Sequence, residues 1–248
     1  MPGRSAKVGA VVKIIAFSTI HITSPEQGAA ITGELSGWRD RLTWAFDDAP
    51  ETFLCESGQA NNSPAGFKTV CAGIRHERPY HCRDWSYFVA NLQYGLWYAG
   101  HEYPDYDLCV ALQSDCILGA RLQTVADEFM RRAEVLAAPG WTSGSPDTHC
   151  LLIKPAAAQD LLYSLPFTAL PKVTGHNVFY PEHAIRALFD GRYWNPWPDC
   201  PTIRQEYGTP ELYRGGDDEI MRWPMLAKYS PVTGERYRRE HTTERAKP

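Results

Sequence analysis

The triplet Gln113-Ser114-Asp115 is where this sequence first combines chemically capable side chains with a definable position. It closes a run of alternating and continuous apolar residues (Tyr106, Leu108, Cys109, Val110, Ala111, Leu112), the pattern of a strand buried on both faces. The stretch 105–119 (DYDLCVALQSDCILG) therefore sets an acidic residue at the carboxyl end of a central strand. In an open α/β sheet, strand ends and the loops after them form the crevice where ligands bind. An aspartate there also suits a turn or a helix start with no ligand at all. A second acidic group, Asp217-Asp218-Glu219 after Gly215-Gly216, has the same two meanings. A carboxylate can take a proton from a hydroxyl, and adjacent acids raise one another's pKa toward neutrality. Acids in a first turn equally complement a helix dipole. The run Tyr193-Trp194-Asn195-Pro196-Trp197 offers ring faces for stacking on a sugar or a base, although core packing is the commoner reason for such density.

Composition narrows the classes. With 248 residues, 44% hydrophobic and 22% charged, the chain can bury a substantial core in one large domain, or in one domain plus an extension. A net charge of -4 gives no global attraction to nucleic acid or anionic membrane, so no stable nucleic-acid or membrane partner is indicated. No apolar run approaches the roughly 20 residues of a membrane span, and the apolar part of the N-terminus is read as a first strand. The seven cysteines (Cys55, Cys71, Cys82, Cys109, Cys116, Cys150, Cys200) are odd in number and lack C-x-x-C spacing. That argues against a zinc cage and for a reducing compartment, and the cytoplasm is the expected location. His149, His176, His183 and His241 are scattered without H-x-x-x-H spacing. The signatures of P-loop ATPases, α/β-hydrolases and classical dehydrogenases are missing where they would be needed.

The elements that must position these residues follow in order. Residues 7–22 (KVGAVVKIIAFSTIHI) predict a strand ending in Ser18, Thr19 and His21, and the polar, Gly-containing stretch to Gly37 reads as a loop. Residues 38–46 carry Trp38, Leu42, Ala45 and Phe46 at helical spacing. Short strands are expected at 52–56, finishing in Glu56, and at 68–74, separated by turn-forming residues. The longest helical pattern, 83–100, repeats Trp85, Phe88, Val89, Leu92, Leu96 and Ala99. After the organising strand come a helix at 122–133, strands at 134–138 and 147–154, and a helix at 156–164 after Pro155. From residue 165 Pro and aromatics become dense; helices are expected at 182–189 and 217–228, and the charged end at 231–248 reads as a flexible tail.

This order of elements resembles the nucleotide-binding half of a GT-A glycosyltransferase, over roughly residues 7–165. In that family a helix of the form N-x-x-x-G leads into a strand ending in D-x-D or a relative. Here Asn91-Leu-Gln-Tyr-Gly95-Leu-Trp-Tyr-Ala99-Gly100 leads to Gln113-Ser114-Asp115, with Gln113 standing where the first acid would be. The resemblance implies an α/β, GT-A-like (Rossmann-like), mixed and mostly parallel sheet flanked by helices, with an aromatic and Pro-rich C-terminal extension. It implies a nucleotide-sugar-binding core at 1–165, an acceptor-side region at 166–230 packed on the same domain, and the tail. The implied activity is a hexosyl- or pentosyltransferase that moves a sugar from a nucleotide-diphosphate donor to an acceptor hydroxyl. Mg²⁺ or Mn²⁺ takes hard oxygen ligands and is commonly held by one or two carboxylates. Asp115 would be the metal ligand, with Gln113 lending an amide oxygen or a hydrogen bond to the ribose, and His176 or, as the alternative, His241 would complete the site. A metal-independent relative would use Arg75, His76, Arg78 and Arg83 instead. Thr19, His21, Glu56, Asn91, Gln113, Ser114 and Asp115 would contact the donor, and Trp194 and Trp197 the acceptor. Asp218, with Asp217 beside it, would be the base. A nucleotidyltransferase on the same kind of sheet, and a non-catalytic carbohydrate- or protein-binding module, stay open as alternatives.

Overall fold

The computed structural model describes residues 12–20, 22, 25–56, 63–71, 83–114, 121–139, 146, 148–164 and 181–196. The strands are β1 (Ile14–Ile20), β2 (Glu51–Glu56), β3 (Thr69–Cys71), β4 (Leu108–Leu112), β5 (Leu136–Ala137), β6 (Cys150–Ile153) and β7 (Tyr193–Trp194). The helices are α1 (Pro25–Ala45), α2 (Arg83–Glu102), α3 (Gln123–Arg131), α4 (Pro155–Ser164) and α5 (Pro181–Leu188). The strands form one sheet in the order β3-β2-β1-β4-β6-β5-β7. Pairing is parallel between β1 and β2, β2 and β3, β1 and β4, and β5 and β7. Strand β6 pairs antiparallel with both β4 and β5, so it alone runs against the rest. The mixed, mostly parallel α/β sheet expected from the sequence is therefore the observed architecture.

Strand alternation sorts the core into two layers. Ile14, Ala16 and Ile20 of β1 share one face with Leu54, Val110, Leu112 and Leu152, and that face is covered by Leu35, Trp38 and Leu42 of α1 and by Ala126 and Phe129 of α3. Ile15 and Phe17 share the other with Phe53, Cys55, Cys109 and Leu151, under Leu92, Leu96 and Ala99 of α2 and Ala157 and Leu161 of α4. Every residue of β4 is buried, as its continuous apolar run requires of a strand with helices on both faces. The central strands pair in register, Ala16 against Thr52 on one side and Val110 on the other.

Three findings differ from the sequence reading. The stretch to Gly37, expected as a loop, belongs to α1, which begins at Pro25 and runs 21 residues. Proline fits a first helical position and Glu26 complements the dipole. The hydroxyls of Thr32 and Ser36 bond back to the carbonyls of Gly28 and Thr32, at 2.9 and 3.1 Å, and buried Leu35 anchors this half to the sheet. Tertiary burial thus outweighs the poor helix propensity of Gly33 and Gly37. The first strand is shorter than 7–22, spanning Ile14–Ile20, and residues 7–11 lie outside the described residues. Finally, Tyr193–Trp194 forms an edge strand on β5, an element that the sequence reading does not include. The expected helix at 217–228 lies outside the described residues.

Helix α2 crosses β1 at close range because of Gly95. A Cβ built there would lie 2.8 Å from both Cδ2 and Cζ of Phe17, and nearer still to Cε2. Phe17 cannot swing away easily, because its ring stacks on Phe53 at 5.2 Å between centroids. Gly95→Ala is expected to cost about 1–3 kcal/mol through overpacking. Urea denaturation checks this, and an unchanged midpoint would mean that the helix stands off the sheet further than described.

Candidate functional site

From β1 the chain winds outward to β2 and β3, then crosses to β4 on the opposite side of β1. The strand order reverses between β1 and β4, which is the switch point where the carboxyl edge of an α/β sheet opens into a crevice. Thr19 and Ile20 end one wall, Gln113 and Ser114 leave the other, and α1 and α2 flank the gap on the two faces.

The β1 exit is held by two side chains of the expected donor set. Asn91, 2% exposed on α2, donates Nδ2–H to the Ile20 carbonyl at 3.3 Å and accepts from the Cys55 thiol at 3.9 Å. Glu56, fully buried at the end of β2, accepts from the Ile22 N–H at 3.2 Å. A buried carboxylate is tolerable only when hydrogen-bonded, and here the bond fixes the backbone leaving β1. Thr19 is half-buried at this edge. Beside it, the Ser18 hydroxyl is buried with no hydrogen-bond partner among the described residues. Its place at the exit of the first strand, beside Thr19, is legible in the sequence.

The β4 exit is held from α1. The Gln113 N–H donates to the His149 carbonyl at 2.9 Å, extending the antiparallel ladder by one rung. Trp38 Nε1–H donates to the Leu112 carbonyl at 3.0 Å. The Ser114 hydroxyl donates to Glu34 Oε1 at 2.8 Å, and its carbonyl accepts from Arg41 Nη2 at 2.7 Å. Glu34 was hidden from sequence reasoning because its stretch reads as loop; Arg41 lies on the expected helix but not on its apolar stripe. Across the sheet, Thr148 donates to Glu182 Oε1 at 2.9 Å, and both residues are buried with His149 where the chain enters β6.

Thr19, Glu56, Asn91, Gln113 and Ser114 thus meet at one edge. Trp194 does not join them. Its register runs through Ala137 and Leu152 to Val110, three strands from β4 and below the carboxyl end. Its ring stacks on Phe129 at 6.1 Å with the Arg132 guanidinium 4.6 Å over it, so it packs on the core. His21, Asp115, His176, Trp197, Asp217 and Asp218 lie outside the described residues, as do Arg75, His76 and Arg78. Arg83 is the first residue of α2.

Among the described residues no three His, Cys, Asp or Glu side chains gather in a way that could hold a metal ion. At the β4 exit the Ser114 hydroxyl and Glu34 supply oxygens of the kind a hard cation takes, while the Arg41 guanidinium occupies the Ser114 carbonyl; Gln113 and Asp115 flank Ser114 in sequence. Burial pushes the Cys55 and Cys109 thiols well above their ordinary pKa, which removes them as nucleophiles. No helix among the described residues is long and apolar enough to cross a membrane.

No protein-family model matches the sequence, and no curated protein matches it. Solved structures do show similarity. A glycosyltransferase involved in glycosylation of the major capsid of PBCV-1 superposes with a TM-score of 0.48 at 7% identity, over 91% of this chain and 99% of that one. The glycosyltransferase GlyE of Streptococcus pneumoniae TIGR4 gives 0.47 at 13% identity, over 89% of this chain and 55% of that one. Mouse xyloside xylosyltransferase 1 gives 0.46 at 8%, over 90% and 99%. At these scores and identities the likeness assigns no chemistry.

Two outcomes follow from the buried polar contacts. Asn91→Ala leaves the Ile20 carbonyl without its donor and is expected to lower stability by about 1–3 kcal/mol, read by chemical denaturation. Cys55 and Cys109 are expected to resist alkylation in the native protein and to label only with global unfolding. Rapid modification of either, mapped by mass spectrometry, would contradict their burial.

Proposed function

We propose that this chain transfers a sugar from a nucleoside-diphosphate donor to an acceptor hydroxyl. The observation that carries the proposal is the switch point between β1 and β4, where Gln113-Ser114, which Asp115 follows in sequence, leave β4. The helix α2 that leads into β4 brings Asn91 to the same edge, so the two motifs on which the GT-A resemblance rests converge there.

In this proposal Thr19 and His21 face the base and ribose, and Gln113, Ser114 and Asp115 border the diphosphate. Glu56 and Asn91 serve the donor through the β1 exit backbone that they hold. Asp115, with Gln113 and His176, would hold Mn²⁺ or Mg²⁺, which when bound supplies positive charge to the leaving diphosphate. Asp218, with Asp217 beside it, takes the proton of the acceptor hydroxyl as that oxygen bonds to the anomeric carbon, and the nucleoside diphosphate departs with the electron pair of the broken bond. Trp197 would stack on the acceptor; Trp194 is committed to packing and is given no such role. The fold adds orientation: donor and acceptor held at one strand edge react as if within one molecule.

A thermal-shift series tests the proposal, with UDP, GDP, CDP, ADP and dTDP, each with Mn²⁺, Mg²⁺ or EDTA, on the wild type and Asp115→Ala. Ligand near 100 Kd stabilises by about 2.7 kcal/mol, a shift of several degrees. One diphosphate acting only with metal and only with Asp115 present is the expected result. Stabilisation by none of the five would overturn the proposal. Pyrophosphate release from a nucleoside triphosphate and a sugar phosphate would mark a nucleotidyltransferase instead.

A further inference from the structure

Ser114 is the first residue to step off the β4 ladder, whose last rung is the bond from the Gln113 N–H to the His149 carbonyl. Its hydroxyl and its carbonyl are nevertheless both engaged, and by one helix. Glu34 accepts from the hydroxyl at 2.8 Å, Arg41 donates to the carbonyl at 2.7 Å, and Trp38 between them takes the Leu112 carbonyl at 3.0 Å. Positions 34, 38 and 41 fall at i, i+4 and i+7, one stripe along α1. Two of the three bonds are charge-assisted, which makes each roughly twice as strong as a neutral one. Gly37 leaves room for the guanidinium, since a Cβ there would sit 3.1 Å from Arg41 Nη1.

Holding an exit turn does not by itself need charge. A Glu and an Arg drawn into a part-buried site lose hydration that apolar packing would not have cost. What they supply is direction. The Arg41 bond fixes the orientation of the Ser114 peptide, and the Glu34 bond commits the hydroxyl proton, so Ser114 Oγ can meet a ligand only as an acceptor. The formal charges of Glu34 and Arg41 are opposite, so the pair adds no net charge to the exit.

We propose that Glu34 and Arg41 are positioning residues of the donor site, presetting Ser114 at the β4 exit before a nucleotide arrives, with Gly37 making space for Arg41. This rests on the nucleotide-sugar function proposed above. A turn ordered in advance does not spend binding energy on ordering.

Isothermal titration with the five nucleoside diphosphates in Mn²⁺ tests it on wild type, Glu34→Ala, Arg41→Met, Arg41→Lys and, as a destabilised control on the opposite face of the sheet, Leu161→Ala in the buried face of α4. The expected result is a loss of about tenfold or more in affinity for Glu34→Ala and Arg41→Met. Arg41→Lys should recover part of it, and Leu161→Ala should bind like wild type. Wild-type affinity in Glu34→Ala and Arg41→Met, or an equal loss in Leu161→Ala, would overturn the positioning role while leaving the nucleotide function standing. A wild type that binds none of the five overturns both. Gly37→Ala, which keeps both charges and only crowds the guanidinium, supplies the same readout should Arg41→Met not fold.

Discussion

A sheet that offers its carboxyl edge to a ligand must end its strands without leaving their backbone groups unpaired, and without covering the edge. This constraint governs the structure. Backbone groups buried at a strand end cost about as much as a lost hydrogen bond when unpaired, yet another strand or a loop laid across them would fill the crevice. Here side chains from the flanking elements do the pairing. Asn91 takes the Ile20 carbonyl and Glu56 the Ile22 N–H at the β1 exit, while Trp38 and Arg41 take the Leu112 and Ser114 carbonyls at the β4 exit and Glu34 accepts from the Ser114 hydroxyl. The two exits are held from opposite faces of the sheet, the β1 exit by Asn91 of α2 together with Glu56 of β2, the β4 exit by α1.

That arrangement depends on how closely each helix approaches. Gly95 lets α2 lie on the Phe17 ring, and so carries Asn91 within reach of Ile20. Gly37 leaves space for Arg41 to extend toward Ser114. Two glycines of poor helix propensity are thus retained within helices for contacts made by other residues, and the buried stripes of Leu35, Trp38 and Leu42 and of Leu92, Leu96 and Ala99 offset that weakness. Packing and site geometry are linked here: the same helix positions that bury apolar surface set the polar contacts one turn away.

Much of the scaffold was legible from one dimension. The apolar run ending at Gln113 announced a central strand buried on both faces, because continuous rather than alternating hydrophobicity has few other solutions. The periodicity of 83–100 announced α2, and its Asn91 and Gly95 were singled out by resemblance before their partners were known. The helix break expected before Trp38 was misplaced because Gly, Ser and Thr signal loops locally, whereas burial of Leu35 is a property of the folded chain. The aromatic density around Trp194 offers ring faces for stacking, with core packing the commoner reason, and in the fold Trp194 packs on Phe129.

What the sequence by itself determined is the order of elements from β1 to α5 and the strand end that Gln113-Ser114-Asp115 follows, since periodicity and turn chemistry act between neighbours in the chain. What only the tertiary structure decided is the company those residues keep. The reversed direction of β6, the meeting of Glu34 and Arg41 with Ser114 across more than seventy residues, and the use of Glu56 to hold Ile22 all arise from pairings distant in sequence. A carboxylate at a strand end looks the same in one dimension whether it will face a ligand or a backbone amide. Only the position of that amide in space tells the two apart.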